Sequence, residues 1–128
     1  MELLTPVSPG ELLDKLTILD IKAERIDDAE KRSNVQHERQ VLEEVWDEAN
    51  LETRETVRLR AELKRVNEAL WEIEDAIRDE ERARRFGDRF IELARAVYVT
   101  NDERAALKKA INSELGSKIV EEKSYSDY

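Results

Sequence analysis

At 128 residues with no cysteine, the chain is long enough for one domain with its own core, and it can hold neither a disulfide nor a thiolate metal site. Charged residues make up 41 % of it and aromatic residues 5 %, with three glycines and two prolines, a balance that predicts an all-α protein with solvated outer faces. The net charge of −9, with thirteen acids against six bases in residues 1–50, argues against nucleic acid and anionic membrane as partners. The start MELLTPVS lacks a secretory pattern and no apolar run reaches the roughly eighteen residues of a membrane span, so a cytoplasmic protein is expected.

Ser8, Pro9 and Glu11 read as a capping box that starts a first helix, expected over 9–32. Leu12, Leu16, Leu19, Ala23 and Ile26 form one stripe, and Leu13, Ile18 and Ile21 widen it, so this helix is expected to be contacted on more than one side. Ser33 with Gln36 offers a second capping box and a helix over 34–49, burying Leu42, Val45 and Ala49 with Trp46 at its edge. The heptad register continues from Leu42 to Ile77, but Asn50, Thr53 and Thr56 supply cap oxygens that favour a break over one continuous rod.

The longest predicted helix covers 54–86. Its Leu59, Leu63, Val66, Leu70, Ile73 and Ile77 alternate steps of four and three, which gathers them into a coiled-coil-like seam. The expected architecture is an antiparallel bundle of about five helices organised on this long central helix, in a single domain over 1–128. Phe86-Gly87-Asp88 marks its end, and a fourth helix is expected over 88–99. Thr100 with Glu103 forms a third capping box, so the chain should bend there and resume as a fifth helix over 101–115, followed by a tail, 116–128, with no period.

Beside the seam, Asn67, Trp71, Glu74 and Arg78 make a second stripe able to bind a polar ligand or a protein partner, although Glu74 and Arg78 are also spaced as an ordinary surface pair. Glu44 and Glu48, with Glu43 and Asp47, followed by Glu72 and Asp75, resemble the carboxylate spacing with which all-α nucleotide pyrophosphatases hold magnesium. The register turns Glu72 and Asp75 away from the seam. Arg78, Arg82, Arg85 and Arg89 line up as a possible anion clamp, with Asp79, Glu80, Glu81 and Asp88 interleaved. His37 stands alone, and Lys108, Asn112, Lys123 and Tyr125 show no constellation by spacing.

The strings SPGELLDKLTILDIKAERI, LWEIEDAIRDE, FIELARAVYVTNDERAALKKAIN and GSKIVEEKSYSDY resemble a bacterial family of short helical proteins of unknown function. The resemblance implies that the tyrosine-rich tail belongs to the domain and docks against the bend, which adds Asn101, Asp102, Arg104 and Tyr125 to the candidate binding residues. No catalytic residue follows from it. The leading expectation is a non-enzymatic interaction module without a cofactor that self-associates as a dimer along the long helix, with other protein partners open. The alternative is a ligand-binding or Mg-dependent nucleotide-processing bundle.

Overall fold

The computed structural model describes residues 1–128 and contains four helices and no strand: α1 (Pro9–Arg25), α2 (Ala29–Ala49), α3 (Arg54–Arg82) and α4 (Asp88–Glu114). No helix is long and apolar enough to cross a membrane. α1 starts at the expected cap, with the Ser8 side chain accepting from the Glu11 N–H, but only this half of the capping box forms because the Glu11 carboxylate turns to Lys108. It stops at Arg25, seven residues short of expectation. The reason is Asp28, which caps α2 through the Glu30 N–H, while the Arg32 guanidinium closes the turn on the Ile26 carbonyl. Starting α2 there gains more than a turn of helix over a start at Ser33.

Asn50 ends α2 in the left-handed conformation, φ 53°, which asparagine tolerates better than most residues. Thr53 and Thr56 then cap α3 reciprocally, each side chain accepting from the other's backbone N–H, so the continuous rod does not form. α3 ends at Arg82, before the expected Phe86-Gly87 stop. Arg84 takes the left-handed position, φ 56°, and the Arg85 N–H returns to the Glu80 carbonyl. Gly87 instead becomes the residue from which α4 starts.

The expected bend at Thr100 is absent, and the fourth and fifth helices are one, α4. Leu93, Val97, Thr100, Arg104, Leu107 and Ile111 alternate steps of four and three, so the stripe runs unbroken through the supposed capping box. Two of its members are polar, which hid the continuity. Tertiary contacts of Arg104 supply the stabilisation that its helix position would otherwise lack, as the site geometry shows.

A second correction concerns the centre of the bundle. α3 is the longest helix, yet α1 is the one whose backbone lies close against all three others, while α3 lies close along α4 and α1 and reaches α2 through side chains, Arg60 to Glu43 among them. Eight of the 17 residues of α1 are buried, against four of 29 in α3. A helix that is apolar over so wide an arc has to be surrounded, whereas the narrow stripe of α3 is covered by two neighbours. The core gathers Leu12, Leu13 and Leu16 of α1 with Trp46, Leu59, Leu63 and Ile111. Trp46 is therefore a core residue and not an interface edge.

Candidate functional site

The widest-reaching polar cluster lies where α1 meets α4. Asp14 sits in register with Thr17 and Ile21 on the buried side of α1, and only 1 % of it is exposed. Arg104 grips its carboxylate with two donors, Nε to Oδ1 at 2.9 Å and an Nη nitrogen to Oδ2. Asn67 Nδ2 adds a third donor at 3.0 Å and also reaches Thr17 Oγ1, which in turn donates to the Asp14 carbonyl. Burial opposes the Asp14 charge. The hydrogen bonds from Arg104 and Asn67 and the charges of Arg104 and Lys108 outweigh it, holding the carboxyl below its ordinary value.

One turn further along α4, Lys108 Nζ meets Glu11 at 2.6 Å and the tail's Glu121 at 3.3 Å. Burial pushes the Lys108 ammonium down, and its hydrogen bond to Glu11 with the charges of Glu11, Asp14 and Glu121 pushes it further up. Another turn on, Asn112 Oδ1 accepts the Gly10 N–H at 2.7 Å, satisfying one of the free amides at the start of α1. Gly10 is required here. A Cβ on it would lie 2.5 Å from the Lys108 carbonyl oxygen and 2.9 Å from Asn112 Oδ1.

Past Gly116, φ 60°, the chain reverses. The Ser117 N–H bonds the Asn112 carbonyl and the Gly116 N–H the Ser113 carbonyl, the paired closure of a Schellman motif. The tail then runs back along α4. Glu121 accepts from Ser8 Oγ and pairs with Lys108, and the Ser8 hydrogen bond, ahead of the Lys108 charge, holds its carboxyl below the ordinary value. Lys123 pairs with Asp102, and the last tyrosine, Tyr128, stacks edgewise on Tyr98 at 5.0 Å. A hydrogen bond to Asp102 raises the Tyr128 phenol and lowers the carboxylate, behind the larger effect of Lys123.

Between α4 and this tail lies a groove of about 620 Å³ whose walls include Asn101, Asp102, Arg104, Lys108, Lys109 and Asn112 on one side and Glu121 to Lys123 and Tyr125 on the other. Four residues singled out in the sequence, Asn101, Asp102, Arg104 and Tyr125, thus face one groove along a straight helix. The other stripe is not one site. Asn67 turns inward to Asp14, Trp71 is half-buried, and Glu74 and Arg78 form an exposed pair at 3.1 Å.

The carboxylates proposed for magnesium are not brought together. Glu44 and Glu48 are exposed on α2, Asp75 is exposed on α3, and Glu72 is held by Arg25 at 2.7 Å. No group of three histidine or acidic side chains is placed to share one ion. Arg78, Arg82, Arg85 and Arg89 each pair with a nearby acid and form no clamp. Sequence reasoning missed Asp14, Glu11 and Gly10. It also missed the step of four from Arg104 to Lys108 to Asn112, a helical stripe in plain sight.

The second feature is apolar. No hydrogen bond or ion pair ties α1 or α2 to α3 beyond Glu72 or to α4 before Arg104, so the far half of the α3–α4 hairpin stands as a two-helix arm. Leu93 is its only buried residue, and Phe86, Ile91, Tyr98 and Val99 are exposed. Phe86 and Phe90 meet edge to face at 5.3 Å near the tip.

These features define a class: a four-helix protein built on a short central helix, with a buried charged seam, a tail-covered groove and a projecting hairpin. The chain belongs to a family of unknown function, DUF6165, which matches residues 3–128. No curated protein and no solved structure matches it.

Proposed function

We propose that the protein is a non-enzymatic interaction module that pairs with a second copy of itself through the far half of the α3–α4 hairpin. The observation that carries the reading is the arm, where one residue is buried and four large apolar side chains are exposed. Two helices bury only the strip between them, so their outer apolar residues are stabilised when another helix pair covers them. The accessible area agrees in size. The chain exposes 9,175 Å², whereas a compact monomer of 15.0 kDa exposes about 7,000 Å². The extended termini, where Met1, Leu3, Leu4 and Val120 are exposed, contribute apolar area to that excess along with the arm. A stable pairing of two arms requires a buried area of roughly 1,200–2,000 Å².

The test is the solution mass measured by sedimentation and light scattering across a wide range of protein concentration. Twice 15.0 kDa is expected, falling to one chain in Ile91→Glu and in Val99→Glu, with helical content unchanged by circular dichroism. A parent protein that stays at one chain at every concentration would refute the reading.

A further inference from the structure

The groove between α4 and the tail carries a second inference, independent of self-association. Most of its charged groups are engaged: Arg104 on Asp14, Lys108 on Glu11 and Glu121, Lys123 on Asp102. Two donors are not. Lys109 has no ion-pair partner and is exposed. Asn112 is nine-tenths buried, and its amide orientation is fixed because Oδ1 accepts the Gly10 N–H. Its Nδ2 donates to no group in the chain, yet no polar side-chain atom is sealed from solvent without a partner. That N–H pair therefore opens to solvent where Asn112 lines the groove.

Donors that open to the groove take water there, or the acceptor atom of a ligand that displaces it. Lys108, Lys109 and Asn112 all line the groove from α4. From the tail side, the Glu121 carboxylate already reaches across to Ser8 Oγ and Lys108 Nζ, so this end of α4 accepts an oxyanion. The volume of about 620 Å³ suits a small molecule, within the usual range of roughly 300–1,000 Å³.

We propose that this groove is a binding site for a compact molecule bearing a phosphate or carboxylate, its oxyanion taken by the free amide of Asn112 and the ammonium of Lys109 beside Lys108. Arg104 keeps Asp14, and Tyr125 with Lys123 borders the outer side. The oxyanion is the shared chemistry of the two headgroups.

The experiment is a titration of the full-length protein with sodium phosphate and, separately, with sodium malonate, at ionic strength matched with sodium chloride. The readout is the side-chain NH₂ resonances of Asn112 in a two-dimensional ¹H–¹⁵N spectrum. A saturating shift with one or both anions is expected, the tighter one identifying the headgroup. Lys109→Glu, at an exposed position, should weaken binding about tenfold or more, as loss of a charged hydrogen bond predicts. Asn112→Asp keeps the acceptor for Gly10 and removes the donor, and should abolish the saturation as read on the backbone amides of Lys108 and Lys109. Shifts that rise linearly without saturating, or that match those in sodium chloride, would overturn the proposal. So would saturation with unchanged affinity in Lys109→Glu, which remains decisive if Asn112→Asp fails to fold.

Discussion

Arg104→Met is the substitution that tests the charged seam most directly. It removes both donors that Arg104 gives Asp14 and leaves a carboxylate that is 1 % exposed with the single hydrogen bond from Asn67. Breaking a buried pair from one side costs about 3–5 kcal/mol, because the remaining charge is neither solvated nor paired. The Arg104 side chain is itself 31 % exposed, which favours the lower end, about 3 kcal/mol. For a chain of this length that is a fall in Tm of roughly 10 °C. Asp14→Leu with Arg104→Met removes both charges and fills the space, so the double variant should be more stable than Arg104→Met alone. Asp14→Leu alone should cost less than Arg104→Met, since Arg104 can turn to water.

The assay is thermal and denaturant unfolding followed by circular dichroism, at one protein concentration so that any association is held constant. Its pH dependence gives a second check. In the parent, Asp14 has a folded pKa below the ordinary carboxyl value of 3.8, so the pair's contribution is fully present above that value and is lost as pH falls through the lower folded one. In Arg104→Met, burial acts without its counterweight and the folded pKa of Asp14 should rise above the unfolded one. Acid then relieves the variant before it harms the parent. The stability gap should therefore be wider at neutral pH than near pH 4. A gap under about 1 kcal/mol at pH 7 would refute the reasoning, as would a double variant that merely sums the two single losses.

Three further predictions concern the backbone. Gly10→Ala drives a methyl into the Lys108 carbonyl, so it should lose about 1–3 kcal/mol despite the better helix propensity of alanine, and a variant as stable as the parent would show that the α1–α4 approach is looser than described. Arg84 and Gly116 occupy equivalent left-handed positions after α3 and α4, so Arg84→Gly should gain and Gly116→Ala should lose about 1 kcal/mol; shifts of the same sign in thermal unfolding would contradict this. Thr53→Ala breaks the reciprocal cap of α3 and should cost about 1 kcal/mol in the same assay, and no measurable change would remove the cap from the account of why α2 and α3 separate.

The local punctuation of the fold was legible in the sequence because it is short-range chemistry. Ser8, Asn50 and Thr53 act where their side chains and conformational tolerance place them. Ser33 and Thr100 fail for different reasons. Ser33 loses to Asp28, a competing cap that yields a longer helix. Thr100 fails because a capping box is only a local option, and the stripe from Leu93 to Ile111 stabilises the helix through it. That stripe could have been read by admitting Arg104 to it. An arginine on an apolar stripe asks for a buried acid, and Asp14, in register with Ile21, was the acid on offer. The groove was legible only in part, since the step of four from Arg104 to Asn112 is local whereas the return of Glu121 spans 113 residues from Ser8.

The charged seam also explains how α4 finds its register. Leucine, valine and isoleucine repeat along α3 and α4, and a seam of such residues tolerates a slip of one turn or one heptad with modest loss. Arg104, Lys108 and Asn112 do not repeat. They meet Asp14, Glu11 and Gly10 in antiparallel order, each by a different chemistry: a forked guanidinium on a carboxylate, an ammonium on a carboxylate, an amide oxygen on a backbone N–H. Sliding α4 by one turn would set Lys108 at Asp14, without the fork, and Asn112 at Glu11. The Gly10 N–H would lose its acceptor, and Arg104 would move in among apolar residues of the arm. Each mismatch is a buried polar group without its partner, at about 1–3 kcal/mol apiece, so the seam selects one register even where its net contribution to stability is small. The groove inherits its position from that choice, because the stripe that locks α4 onto α1 also forms the wall on which the tail lies.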